Sequence, residues 1–133
     1  MAFEEMNLKD SVRPSGRNCI MISGFDGFEI DRIRLAVRNS GIDEWLYIDQ
    51  NRSGLQVKTA LDTLKNNDSV RYQSNKERLI LFNGCSNYEI HKLISEVVSF
   101  AMERPLIAVT TPISLEWNFS CLLEELKKER EAL

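Results

Sequence analysis

Hydrophobic positions along this chain change period repeatedly, and each change marks an element. Cys19–Ser23 is a continuous apolar run, as a strand buried on both faces requires. Gly24 breaks it. Asp26, with Glu29 three residues on, forms a capping box in which Asp takes the N-cap. Ile30, Ile33, Ala36 and Val37 then recur at helical spacing, while Arg32, Arg34 and Arg38 lie off that face. Asn39-Ser40-Gly41 ends this helix, because glycine readily takes the left-handed conformation found there. Trp45–Ile48 reads as a short strand whose acidic flanks, Asp43, Glu44 and Asp49, suit a sheet edge. Ser53 with Gln56 predicts a second capping box. It opens a helix faced by Val57, Ala60, Leu61 and Leu64 and stopped by Asn66-Asn67-Asp68.

After a polar connection, 69–77, read as a surface loop, the pattern returns. Leu79–Phe82 is the third strand, and Ser86 with Glu89 is a full capping box. Ile90, Leu93, Ile94, Val97, Val98 and Ala101 form the strongest apolar stripe in the chain. Pro105 cannot continue that helix, and Leu106–Val109 is a fourth, uncharged strand. Thr111 as N-cap and Pro112 in the first turn predict a last helix that buries Leu115, Phe119, Leu122 and Leu126.

The two halves share more than their order of elements. Shifted by sixty positions without a gap, Gly24 meets Gly84, Phe28 meets Tyr88, Glu29 meets Glu89, Ile30 meets Ile90 and Val37 meets Val97. The same shift sets Leu46 on Leu106, Leu55 on Leu115 and Val57 on Trp117. Agreement falls on the turn, the cap and the core face, where a shared fold needs it. The organisation expected is an N-terminal arm, 1–18, and a single α/β domain, 19–133. That domain holds two β-α-β-α pseudo-repeats, 19–67 and 79–128, joined by a linker, 68–78. Right-handed crossovers then predict a small four-stranded parallel sheet of order 2-1-3-4 with helices on both faces. The first and fourth helices would cover one face, the second and third the other, as in a reduced doubly wound sheet.

Composition narrows the function classes. A net charge of −3 over 133 residues argues against nucleic-acid binding. No apolar run approaches the roughly 20 residues of a membrane helix, and the acidic start MAFEEMNLKD does not resemble a secretory signal. Cys19, Cys85 and Cys121 lack disulfide or zinc spacing, and His91 is the one histidine. A cytoplasmic protein without a metal or cofactor is expected, with no nucleic-acid or membrane partner.

In an all-parallel sheet, ligands bind beyond the carboxyl ends of the strands where strand order reverses. That rule selects Ser23, Gly24, Asp26, Asn83, Gly84, Cys85 and Ser86, with Thr110 and Thr111 at the end of strand 4. Helix starts at these loops would suit a small anionic ligand, although every one of these residues also has a plain turn or cap role. Cys85 is the best candidate nucleophile, since it precedes a helix start; it also stands where the first half has apolar Phe25. Cys19 and Cys121 read as core thiols. Trp45 and Trp117 read either as contact anchors or as core. A receiver-type phosphorylation domain would need an acidic pair after strand 1 and an Asp after strand 3, where this chain has Asp26 alone and Asn83.

The run from Leu79-x-x-Phe82-x-Gly84 through Thr110-Thr111-Pro112 and Trp117 to Leu122-Leu123-Glu124-Glu125-Leu126 resembles a family of short bacterial and archaeal domains known only as a domain of unknown function. The resemblance implies no activity and no catalytic residue. Three readings follow. One is a bacterial-type non-catalytic interaction or regulatory module that self-associates as a homodimer through an edge strand or the arm. The second is a small-ligand or phosphate-binding domain using the loops after strands 1 and 3. The third is a thiol-dependent enzyme built on Cys85.

Overall fold

The computed structural model describes residues 11–65, 70–74, 77–99 and 104–132. Its elements run β1 (Cys19–Ser23), α1 (Gly27–Ser40), β2 (Glu44–Tyr47), α2 (Val57–Thr63), β3 (Leu79–Asn83), α3 (Asn87–Val98), β4 (Leu106–Val109) and α4 (Phe119–Ala132). Both predicted capping boxes at α1 and α3 are formed, by Asp26 with Glu29 and by Ser86 with Glu89. Gly41 closes α1 in the left-handed conformation, φ 86°.

The four strands form one open sheet of order β2-β1-β3-β4. β1–β2 and β3–β4 are parallel, but β1–β3 is antiparallel, so the sheet is mixed and the all-parallel expectation is corrected. The reason lies in the connection after α2. Arg17, just before β1, holds the carbonyls of Leu61 and Leu64, so α2 ends at the amino end of β1. By residues 70–74 the chain lies at the carboxyl ends of β1 and β2. Val70 joins the core, Tyr72 packs on Trp45 and Tyr47, and the Gln73 N–H reaches the Tyr47 hydroxyl. It then enters β3 from the opposite end. Residues 71–74 are exposed, as expected of a surface loop, while Val70, Tyr72 and Gln73 lay the segment against β2.

Reversing one half also reassigns the helices. A right-handed crossover keeps its helix on the same face when the whole unit is turned about an axis normal to the sheet. Accordingly Ile30, Ile33, Ala36 and Val37 of α1 share a core with Leu93 and Val97 of α3, over Ile20, Ile22, Ile80 and Phe82. Val57 and Ala60 of α2 share the other core with Phe119 and Leu122 of α4, over Cys19, Met21, Leu79 and Leu81. The expected pairing of first with fourth helix is therefore replaced by first with third.

The strand registers locate the axis. Met21 pairs with Leu81, its counterpart sixty positions on. The isolated antiparallel bridge Gln56–Asn118 joins residues sixty-two apart. Cys19 lies beside Glu44 while Leu79 lies beside Leu106, so the second half carries two extra residues before β4. The gapless correspondence therefore fails beyond the first helix of each half. Ala108, not Leu106, stands where Leu46 does, and Phe119, not Trp117, stands where Val57 does.

Two helix starts also differ from expectation. Asp49 caps a one-turn 3-10 helix, Gln50–Arg52, and α2 begins only at Val57 with no side-chain cap, so Ser53–Gln56 is not a capping box. Thr111 Oγ1 accepts the Ser114 N–H at 3.0 Å, but only a 3-10 turn, Ser114–Glu116, follows, and its N-cap position is Ile113, without a side-chain cap bond. α4 starts at Phe119, capped by Asn118 Oδ1, which accepts the Cys121 N–H at 2.8 Å. The bonds Val57 N–H to Trp117 O and Phe119 N–H to Leu55 O hold both approaches extended. The helix stop at 66–68, the arm residues 1–10 and Ala101 lie outside the described residues.

Candidate functional site

The antiparallel β1–β3 pair sends the two glycine turns to opposite ends of the sheet, about 20 Å apart by strand rise. Ser23, Gly24 and Asp26 lie at one end; Asn83, Gly84, Cys85, Ser86, Thr110 and Thr111 lie at the other. The common rim expected for them does not form.

The β3/β4 end is closed by the chain entering β1. Gly84 has φ 64°, and a Cβ there would sit 2.7 Å from the Arg17 carbonyl oxygen and 2.9 Å from that of Gly16. Asn83 Nδ2 donates to Arg17 O and Asn83 Oδ1 accepts from Thr110 Oγ1, each at 2.7 Å. Asn18 Nδ2 donates to Gly84 O at 2.7 Å and to Glu89 at 3.1 Å. Glu89 is buried and also takes the Ser86 N–H and the Arg13 guanidinium. Burial pushes its carboxyl up, but Arg13, Ser86 and Asn18 together outweigh that and hold it below the usual carboxylate range. Arg17 pairs with Glu44 at 2.7 and 2.9 Å, which lowers the Glu44 carboxyl in turn. Residues 13–18 of the predicted arm are thus built into the domain.

Cys85 is buried within this end, and its Sγ donates to Cys19 O and Asn83 O, each at 3.4 Å. Burial, with the Glu89 charge adding, pushes its thiol up to about 11, and burial pushes Cys19 to about 12. Both shifts favour the neutral thiol over the nucleophilic thiolate. Cys121, expected in the core, is exposed. Trp45 and Trp117 are both partly buried, against the first and second cores respectively.

The β1/β2 end holds an open cleft of about 520 Å³. Ser23 and Gly24 line it, as sequence reasoning selected. Asp26 does not, because its side chain is spent on the α1 cap. The remaining walls come from Tyr47–Gln50, Ser53, Arg71, Gln73, Ser74, Glu77, Leu79 and the first turns of α4. Tyr47 donates its hydroxyl to Phe25 O at 2.7 Å. Asp49 accepts the N–H groups of Arg52 and Arg71, and Glu77 holds Arg130 through two bonds of 2.8 and 2.9 Å. Arg71, Gln73, Glu77 and Ser120 were missed because they sit in the connection before β3 and at the misplaced start of α4. The length of that connection was the one available signal.

Among the described residues no group of three metal-ligating side chains converges, and no helix is long and apolar enough to cross a membrane. Residues 78–133 match the family model described as Domain of unknown function (DUF3783), which is one complete β-α-β-α unit of this fold. No curated protein and no solved structure matches the chain.

Proposed function

We propose that this chain is a non-catalytic interaction module, two copies of one β-α-β-α unit in a single domain, that self-associates as a homodimer through β4. The observation carrying this reading is the contrast between the two sheet edges. β2 begins at Glu44 and is flanked by Asp43 and Asp49, and Tyr72 lies against its aromatic rings. Acidic flanks of this kind deter strand addition. Residues 105–113 around β4 carry no charge, and Val109 and Ile113 are 49% and 69% exposed. Leu106 and Thr110 direct their N–H groups to β3, so alternation turns those of Ile107 and Val109 outward. A second copy satisfies them by a two-fold pairing that sets Ile107 opposite the partner's Val109, with Ala108 on the axis. The arm is the weaker candidate for this contact, since Arg13 and Arg17 are committed within their own domain. Three free cysteines suit a reducing cytoplasm.

Sedimentation equilibrium tests the reading. The wild type is expected to reach dimer mass at high concentration, and Val109→Lys is expected to sediment as a folded monomer. A wild type that stays monomeric, or a Val109→Lys dimer of undiminished affinity, would overturn it.

A further inference from the structure

We infer that self-association extends from β4 onto α3, whose Ile94 and Val98 pack against the same helix of a second copy. This rests on the β4 reading and adds a helix pair to it. The strand alone offers the outward-facing groups of two residues, Ile107 and Val109. That contact is far smaller than the roughly 1,200 Å² or more that a stable interface buries.

Glu89 marks the side of α3 that faces α1: a Cβ on Gly41, the C-cap of α1, would lie 3.9 Å from Glu89 Oε2. At about 100° per residue, Ile94 falls about 140° and Val98 about 180° round the helix from Glu89. Lys92 and Glu96 stay within about 60° of Glu89, so Asn87, His91, Ile94 and Val98 form the side away from α1. Ile94 packs on the first core together with Ile107, and Val98 is 54% exposed.

The matching side of α1 is charged. Sixty positions earlier, where the correspondence holds, Asp31, Arg34 and Arg38 stand for His91, Ile94 and Val98. Arg34 lies 3.9 Å from Asp31, and its guanidinium is 5.4 Å from the centre of the Trp45 ring on β2. That side of α1 therefore guards the β2 edge with charge. By the same symmetry Ile94 and Val98 stand beside β4, where the guard is replaced by apolar surface.

Pairing β4 with its copy repeats the junction between β1 and β3. There two antiparallel strands bring together helices that lie over the strand pairs on either side, and α1 shares a core with α3. Two strand spacings of about 4.8 Å separate such helices, which falls within the roughly 8–10 Å at which helices pack. At β4 the same spacing sets α3 antiparallel to the partner's α3, with Ile94 and Val98 turned toward it.

Sedimentation equilibrium of the full chain tests this with three variants, each checked for folding by circular dichroism. Val98→Lys is expected to weaken the dimer about tenfold or more, and Val98→Leu to leave it within about threefold of the wild type. Leu35→Lys, also at a residue 54% exposed but on the outer surface of α1, is expected to leave it unchanged. A Val98→Lys dimer of undiminished affinity, or an equal loss with Leu35→Lys, would remove the α3 contact while leaving the β4 contact to stand on Val109→Lys. A wild type that stays monomeric would remove both.

Discussion

Gly84 and Glu89 show why single residues at the β3/β4 end matter. Gly84 combines a left-handed backbone with two carbonyl oxygens inside 3.0 Å of any added Cβ. Gly84→Ala should therefore cost about 2–4 kcal/mol, from conformational strain plus overpacking, measured by urea unfolding. Gly54 has open space around it and should tolerate Ala within about 0.5 kcal/mol. Glu89 carries a pH prediction. Its folded pKa lies below the unfolded value, so its contribution is complete above the unfolded pKa of about 4.3. It is lost as pH falls through the lower folded value. Glu44 acts in the same direction. Stability should fall as pH is taken from about 5 to about 3. Glu89→Gln should be less stable by about 2 kcal/mol at neutral pH and should show a shallower acid decline. The cap role of Glu89 is readable from Ser86 three residues before it. Its partners Arg13 and Asn18, more than seventy positions earlier, are not, because no local pattern encodes a contact across that distance.

At the level of elements, the strands and the two long helices of the first face follow directly from apolar periodicity, glycine turns and capping boxes. The helices of the second face do not start where local signals place them. Thr111-Pro112 is a genuine helix-start signal, yet it yields a single 3-10 turn. The bridge between Gln56 and Asn118 then holds residues 117 and 118 extended, and α4 begins after it. Asn118→Ala should thus cost about 1 kcal/mol as the loss of a helix cap, in thermal or urea unfolding. Thr111→Ala should cost less than half as much, since its hydroxyl holds only the Ser114 N–H of a single 3-10 turn. The reverse order of these two values would mean that the last helix starts at Pro112 after all.

Across the whole molecule, β1 is the strand that ties the halves together, paired to β2 on one side and β3 on the other. Each core is built from both halves. The chain should therefore unfold as one cooperative unit. Trp45→Phe and Trp117→Phe each leave one tryptophan, in the second and first half respectively, and both fluorescence reporters should give the same urea midpoint as circular dichroism within each variant. Separate midpoints within one variant would instead divide the chain into two independent units.

Element order, the glycine turns and the caps of α1 and α3 rest on interactions between chain neighbours, and the amino-acid sequence carries them openly. It carries the neighbours β1–β2 and β3–β4 as well, because each crossover returns beside its own first strand, whereas the β1–β3 contact that completes the order is a tertiary choice. The direction of one half relative to the other is different in kind. CIMIS and LILFN are buried on both faces, so either direction hides the same side chains, and periodicity cannot distinguish them. The choice falls to the connection between α2 and β3, whose residues 70–74 lie against β2 before β3 begins at Leu79. From that one non-local event follow the mixed sheet, the pairing of α1 with α3, the separation of the two glycine turns, and a cleft at one end while Arg17 fills the other.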